Sequence, residues 1–310
     1  MKGKVIKCVK NNYIVSITNG KLFNCKIKSS ERLKKRNFTN PISVGDYVDF
    51  SVDVNNEINI INNVYPRKNY VVRQSVNLSF KSQILASNID YVFLIVTIKD
   101  PVTSLLFIDR YLITTNAYKI PTILIFNKND IYNEDDIILE KKYFKIYKGV
   151  VDDCISMSAL NFQKLKSLEK YLKNKTILLS GHSGVGKTTL INSLDPSFKL
   201  TTKEISEKYK QGTHTTTFSE MLFLKKYKLS IIDSPGIRGF GLVDINKNDL
   251  PNYFPDFIKY SCDCKFSDCL HIKEPKCAIR NNVNNGNISK SRYENYLKML
   301  DESKTYRRGF

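Results

Sequence analysis

Residues 176–190 read TILLSGHSGVGKTTL, and this stretch decides the fold. Thr176–Ser180 is an apolar run of the length of a buried strand, and KTTLINSL (187–194) is helix-compatible. Between them, Gly181-His182-Ser183-Gly184-Val185-Gly186-Lys187-Thr188 matches G-x-x-x-x-G-K-[ST]. Glycines let the backbone curl so that its N–H groups surround phosphate oxygens, and the following helix adds the positive end of its dipole. Lys187 is placed to reach the β- and γ-phosphates of a nucleoside triphosphate, and the Thr188 hydroxyl to ligate Mg²⁺. With Thr189, the loop supplies nine candidate phosphate contacts, 181 to 189.

Outward from the loop, YVFLIVTI (91–98), TILIF (122–126) and LSIID (229–233) are further continuous apolar runs, with helical stretches such as 102–118 and 160–173 between them. The alternation predicts a doubly wound α/β sheet. MLFLKKYKLSIID predicts a hairpin turning through Lys225–Lys228, which adds an antiparallel strand.

The base is chosen elsewhere. Asn127-Lys128-Asn129-Asp130 directly follows the strand TILIF and reads N-K-x-D. An Asp130 carboxylate can accept from the ring N–H and the exocyclic amine of guanine, while Lys128 lays its stem over the base. Adenine offers an acceptor where that carboxylate needs a donor. Ser158-Ala159 fits a third guanine-contacting loop. Asp233-Ser234-Pro235-Gly236 reads D-x-x-G, with Asp233 holding Mg²⁺ through water and the Gly236 N–H meeting the γ-phosphate. Gly212-Thr213-His214-Thr215-Thr216-Thr217 is placed to be the other switch, with Thr216 as the candidate Mg²⁺ ligand.

Ordinary GTPases run P-loop, switch I, D-x-x-G, N-K-x-D, S-A. Here N-K-x-D (127–130) and S-A (158–159) precede the P-loop (181–188) and D-x-x-G (233–236), so the GTPase domain is expected to be circularly permuted. One site still forms if each strand keeps its place.

Upstream, Tyr13, Val15 and Ile17, then Phe23, Cys25 and Ile27, then Val48, Phe50, Val52 and Val54 alternate with polar residues, as half-buried strands do. About five short strands suit an OB-fold barrel, an oligonucleotide binder; an SH3-like barrel has the same pattern. ERLKKRNFTN (31–40) reads as a mobile basic loop. Lys and Arg number 49 against 30 Asp and Glu, a net charge of +19, and residues 1–75 hold 14 basic against 5 acidic side chains. Such an excess favours a polyanion and points the barrel toward RNA.

Downstream, Cys264-x₄-Cys269-x-His271-x₅-Cys277 offers three thiolates and an imidazole, enough to close a tetrahedral structural Zn²⁺ site; Cys262 is an alternative to Cys264. SRYENYLKML (291–300) predicts a last amphipathic helix. The division expected is 1–75 for the barrel, 76–250 for the permuted GTPase domain and 251–310 for a mainly helical zinc-binding domain. No apolar run approaches the ~18–20 residues of a membrane span, and the lysine-interrupted start MKGKVIKCVKNN does not read as a secretory signal. A cytoplasmic protein without membrane contact is expected.

Permuted guanine motifs, a preceding barrel and CKFSDCLHIKEPKCAI after DSPGI together resemble the RsgA (YjeQ) family of small-subunit-dependent ribosomal GTPases. The likeness spans almost the whole chain. It implies GTP hydrolysis, a 30S ribosomal subunit and its 16S rRNA as partners in late maturation, hydrolysis stimulated by the subunit and followed by release, and action as a monomer. Ile237 follows D-x-x-G, where Ras-type GTPases place the glutamine that orients water, so slow intrinsic hydrolysis is expected. His214 is the candidate catalytic residue beside Lys187 and Gly236.

Overall fold

The structure is a computed structural model and describes residues 1–9, 11–27, 40–52, 59–74, 82–161, 165–200, 220–233 and 245–305. Strands β1 (Lys2–Val9), β2 (Asn12–Ser16), β3 (Leu22–Ile27), β4 (Tyr47–Ser51) and β5 (Asn59–Val64) come first. They close on themselves: β1 pairs with β2, β2 with β3, β3 with β5, β5 with β4, and β4 returns to β1. Only β3–β5 is parallel. This is the five-stranded closure of an OB-fold. The alternation legible at the start becomes its interior, where Val5, Tyr13, Val15, Cys25, Val48, Phe50 and Ile61 are all buried. Val52, expected to continue β4, lies beyond its end and is exposed, and Val54 falls outside the described residues, as do 31–39 of the basic loop.

An antiparallel pair, β6 (Tyr70–Gln74) and β7 (Ser82–Ser87), joins the barrel to the next layer. The Ser87 N–H donates to the Val44 carbonyl at 2.9 Å, and Arg67 holds Asp46 through Nε (2.7 Å) and Nη2 (2.6 Å).

The α/β part contains β8 (Tyr91–Val96), α1 (Leu105–Ala117), β9 (Thr122–Phe126), α2 (Glu134–Tyr147), β10 (Asp153–Ser156), β11 (Thr176–Ser180), α3 (Lys187–Leu194), β12 (Glu220–Leu224) and β13 (Leu229–Asp233). The strand order is β10-β9-β8-β11-β13-β12, parallel except for the antiparallel edge strand β12. Each central strand is buried on both faces, which is why it reads as a continuous apolar run. Val92, Leu94 and Val96 face α1 and α2, while Phe93 and Ile95 share a core with Leu190, Ile191 and Leu194 of α3. From β8 the chain winds outward to β10, and from β11 it winds the other way to β13. The reversal falls between β8 and β11, the place where open α/β sheets bind ligands beyond the strands' carboxyl ends.

The described part of 160–173 differs from the expected α-helix: Lys166–Tyr171 is a 3-10 helix. Leu165, Leu168 and Tyr171 recur every third residue, and three residues per turn keeps them on one face against the sheet. Between β12 and β13 the expected hairpin turns through a 3-10 segment, Lys225–Tyr227.

The C-terminal part is helical: α4 (Pro255–Ser261), α5 (Ala278–Asn284) and α6 (Lys290–Thr305), the last longer at both ends than its pattern suggested. These helices pack on α1, whose Ile113 joins Phe254, Phe257, Tyr296 and Met299 in one core. Helix α1 is therefore covered on two sides. Polar groups cross this interface. Arg292 of α6 bonds Asp256 of α4 (2.7 and 2.8 Å) and Asp109 of α1 (2.5 Å), and Asn295 and the Tyr147 hydroxyl complete the shell of Asp109 at 2.6 and 3.1 Å. Among the described residues, no helix is long and apolar enough to cross a membrane.

Candidate nucleotide site and metal centre

The P-loop leaves β11 at Ser180 and enters α3 at Lys187. Its glycines are demanded by neighbours. Gly181 has φ +142°, and a Cβ there would stand 2.3 Å from the Ile95 carbonyl oxygen. Gly186 has φ +102°, and a Cβ there would stand 2.2 Å from the Asn127 side-chain nitrogen. That second contact comes from the N-K-x-D string. Asn127 Nδ2 donates to the Val185 carbonyl at 2.7 Å, and Asn127 Oδ1 accepts from the Ala159 N–H at 2.8 Å. One buried amide thus fastens the P-loop, N-K-x-D and S-A loops together, although 58 and 32 residues separate its partners from it in sequence.

Further bonds tighten the arrangement. Asn127 N–H donates to Val96 of β8, and the Tyr132 hydroxyl donates to the Asn127 carbonyl at 2.7 Å; burial pushes Tyr132 up to about 12, so it remains a donor. Ser193 of α3 donates to the Ala159 carbonyl at 2.6 Å, and Ser158 is buried beneath it. Lys128 takes a left-handed backbone, φ 69°, and its ammonium donates to the Asp100 carbonyl. Asp130 is exposed at the rim. Lys187 Nζ donates to the Gly181 and His182 carbonyls, each at 2.8 Å, which holds its charge over the loop. The His182 ring lies on Phe107 of α1 with centroids 3.9 Å apart, and Ser183 and Gly184 are exposed. Thr188 and Thr189 open α3. Asp233 ends β13 in register with Leu179 of β11, one strand from the P-loop. Thr213, His214, Thr216, Gly236 and Ile237 lie outside the described residues.

Reading by motif missed Phe107 and Tyr132. Neither has a string of its own. Tyr132 stands five residues after Asn127, a spacing that carries no signal without the turn between them.

In the C-terminal part, one ligand atom from each of Cys264, Cys269, His271 and Cys277 lies within 4.8 Å of the others. His271 Nδ1 stands 3.7 Å from Cys264 Sγ and 3.4 Å from Cys277 Sγ. Sulfur and nitrogen ligands around a tetrahedral zinc sit about 3.5 Å apart, given the usual bond lengths. The donor set therefore fits such a metal ion. Cys262 is exposed and outside the cluster. Burial lowers His271 below the usual imidazole value against the pull of Glu274, which keeps it neutral as a ligand must be. Burial also pushes the Cys269 thiol up to about 12, so metal uptake has to release protons. Glu274 accepts the N–H groups of Leu270, Ile272 and Lys273 (2.7–2.9 Å), and Tyr293 and Tyr296 donate to the His271 and Leu270 carbonyls, each at 2.7 Å. These bonds fix the ligand loop from outside.

Comparison with known proteins agrees with this geometry. The RsgA GTPase family model matches residues 64–243. The chain belongs to the RsgA GTPase family. A small ribosomal subunit biogenesis GTPase RsgA from Flavobacterium psychrophilum is 47% identical over 312 residues, covering 99% of this chain and 95% of its own length. Its counterpart from Phocaeicola vulgatus is 47% identical over 303 residues, 97% of each. Among solved structures, YjeQ from Thermotoga maritima superposes with a TM-score of 0.78 at 32% identity, over 97% of this chain and 98% of that one. YloQ, a circularly permuted GTPase, gives 0.75 at 25% identity over 100% and 96%. As an RsgA GTPase the chain is a GTP hydrolase with a permuted nucleotide-binding domain, a strand barrel before it and a cysteine-histidine cluster after it.

Proposed function

We propose that this chain binds the 30S ribosomal subunit through its 16S rRNA, assists late maturation of the particle, and leaves it when GTP is hydrolysed. The observation that carries the reading is the Asn127 amide, which joins three permuted loops into one guanine-nucleotide site. The names of its relatives supply the particle. The net charge of +19 and an N-terminal barrel suit a phosphate-rich partner.

In this reading Asp130 and Lys128 select guanine, Ser158 and Ala159 line the base, and Gly181 through Thr189 hold the phosphates. Thr188, Thr216 and Asp233 hold Mg²⁺, which offsets charge on the phosphates when bound. Gly236 meets the γ-phosphate, and His214 positions the attacking water. Cys264, Cys269, His271 and Cys277 hold one structural Zn²⁺. With isoleucine after D-x-x-G, the site lacks one orienting group, and the subunit supplies or orders it. The protein works in the cytoplasm as a monomer.

GTP turnover measured with purified 30S subunits, with 50S subunits and with no particle tests this. A 30S-specific rise of ~10³-fold or more, the scale of GTPase activation elsewhere, supports it. Equal rates in all three would refute it, and Lys187→Ala should abolish every nucleotide-dependent effect.

A further inference from the structure

Away from the nucleotide loops, a cleft of about 270 Å³ opens where α2 meets α4 and the α5–α6 connection. Lys142 and Lys145 of α2, Lys148 just past its end and Lys259 of α4 line it, with Asn287 and Ser289 from the opposite wall. None of the four ammonium groups is paired with a carboxylate among the described residues. Asp256 is the single acidic residue in the lining, and both its oxygens are taken by Arg292. The ends of α2 and α4 explain some lysine here, because each helix C-terminus carries about half a negative charge. Two such ends offset about one of four cations. The remaining positive charge is gathered in a concave site, where field lines focus.

We infer that this cleft receives the phosphodiester backbone of RNA, bridging the GTPase part and the zinc-cluster part of the chain. Lysine ammonium groups act as point charges for phosphate, and the Asn287 and Ser289 side chains add uncharged donors. The inference rests on the proposed small-subunit partner. Because α4 is fixed to α6 and α1 through Arg292, an RNA strand held here contacts a seam, not a free-swinging domain.

The test is a filter-binding salt series with the full chain and its Lys142→Gln/Lys145→Gln/Lys148→Gln variant, using 30S subunits and, separately, protein-free 16S rRNA. All three side chains are exposed. Subunit-independent GTP turnover should be unchanged. The variant should bind at least ~10-fold more weakly near 0.15 M salt on both probes, and its log–log salt slope should be shallower by about 2–3, one lost phosphate contact per lysine. A control removing Lys119, Lys166 and Lys173 should leave the slope closer to that of the unsubstituted chain.

An unchanged affinity and slope would overturn the inference. So would an equal loss in the control, which would mean diffuse charge, or a loss on subunits absent with bare rRNA, which would mean an acidic protein docks here. Failure of the unsubstituted chain to bind 30S subunits would instead remove the underlying functional reading, and this inference with it.

Discussion

Replacing Arg292 with methionine removes the cation at the centre of the α1–α4–α6 interface while keeping most of its volume. Arg292 and Asp109 are 2% and 0% exposed at their side chains, and Asp256 is 11% exposed. Three bonds of 2.5–2.8 Å are lost and two carboxylates are left without their cation. Breaking a buried pair from one side costs about 3–5 kcal/mol, a large share of the ~5–15 kcal/mol that holds a domain together. The cost should depend on pH in a fixed direction. Desolvation already raises the Asp109 carboxyl above its usual value, against the pull of Arg292 and two hydrogen bonds. Without the arginine it rises further. A carboxyl whose folded value is raised is tolerated best when protonated, so the deficit should be smaller at pH 5 than at pH 8. Urea unfolding followed by circular dichroism, chosen because the chain has no tryptophan, measures both. The Arg292→Met/Asp109→Asn/Asp256→Asn variant should recover much of the loss. A deficit under ~1 kcal/mol at pH 8, or one that grows toward acid, would refute the reasoning.

Gly186→Ala should break the joint between the loops: the new Cβ collides with the Asn127 amide and the backbone is strained by ~1–3 kcal/mol, so GTP affinity should fall ~10-fold or more in a nucleotide titration. Asp130→Asn should weaken GTP binding by about 10²-fold, two charge-assisted bonds being altered, and narrow the preference over ATP, as competition binding would reveal. Elemental analysis should find about one zinc per chain. Cys277→Ser should lose it and lower the unfolding midpoint, whereas Cys262→Ser, outside the cluster, should retain it.

The nucleotide loops were legible because their chemistry demands fixed residue types beside strands, and both-face burial makes such strands apolar throughout. Helix α2 was not read. Its Ile137 and Ile138 are exposed, blurring the helical period, and the usable signal was the Asn133–Asp136 capping box. Arg292 lies one turn before Tyr296 and two before Met299, on the face that α6 buries, so the helical period already turned it inward. Its partners Asp109 and Asp256 lie 183 and 36 residues away, and only the docking of α6 onto α1 and α4 brings them to it. The candidate metal ligands were visible by spacing, but the choice of Cys264 over Cys262 needed the folded loop, which gathers Cys264 with Cys269, His271 and Cys277 and leaves Cys262 outside.

Strand β1 lies in the barrel yet also meets β12, with Lys7 opposite Glu220 and their side chains 3.1 Å apart. Strand β12 is the outer strand of the mostly parallel part of the sheet, the sort of open flank that recruits stray chains. The barrel meets that flank at its Glu220 end. At the far side, β10 is only four residues long, and its Asp153 is engaged by Lys170 and Tyr171. A molecule that works among other proteins thus carries its own guard against sticking to them, and cutting away the barrel should cost solubility before it costs nucleotide binding.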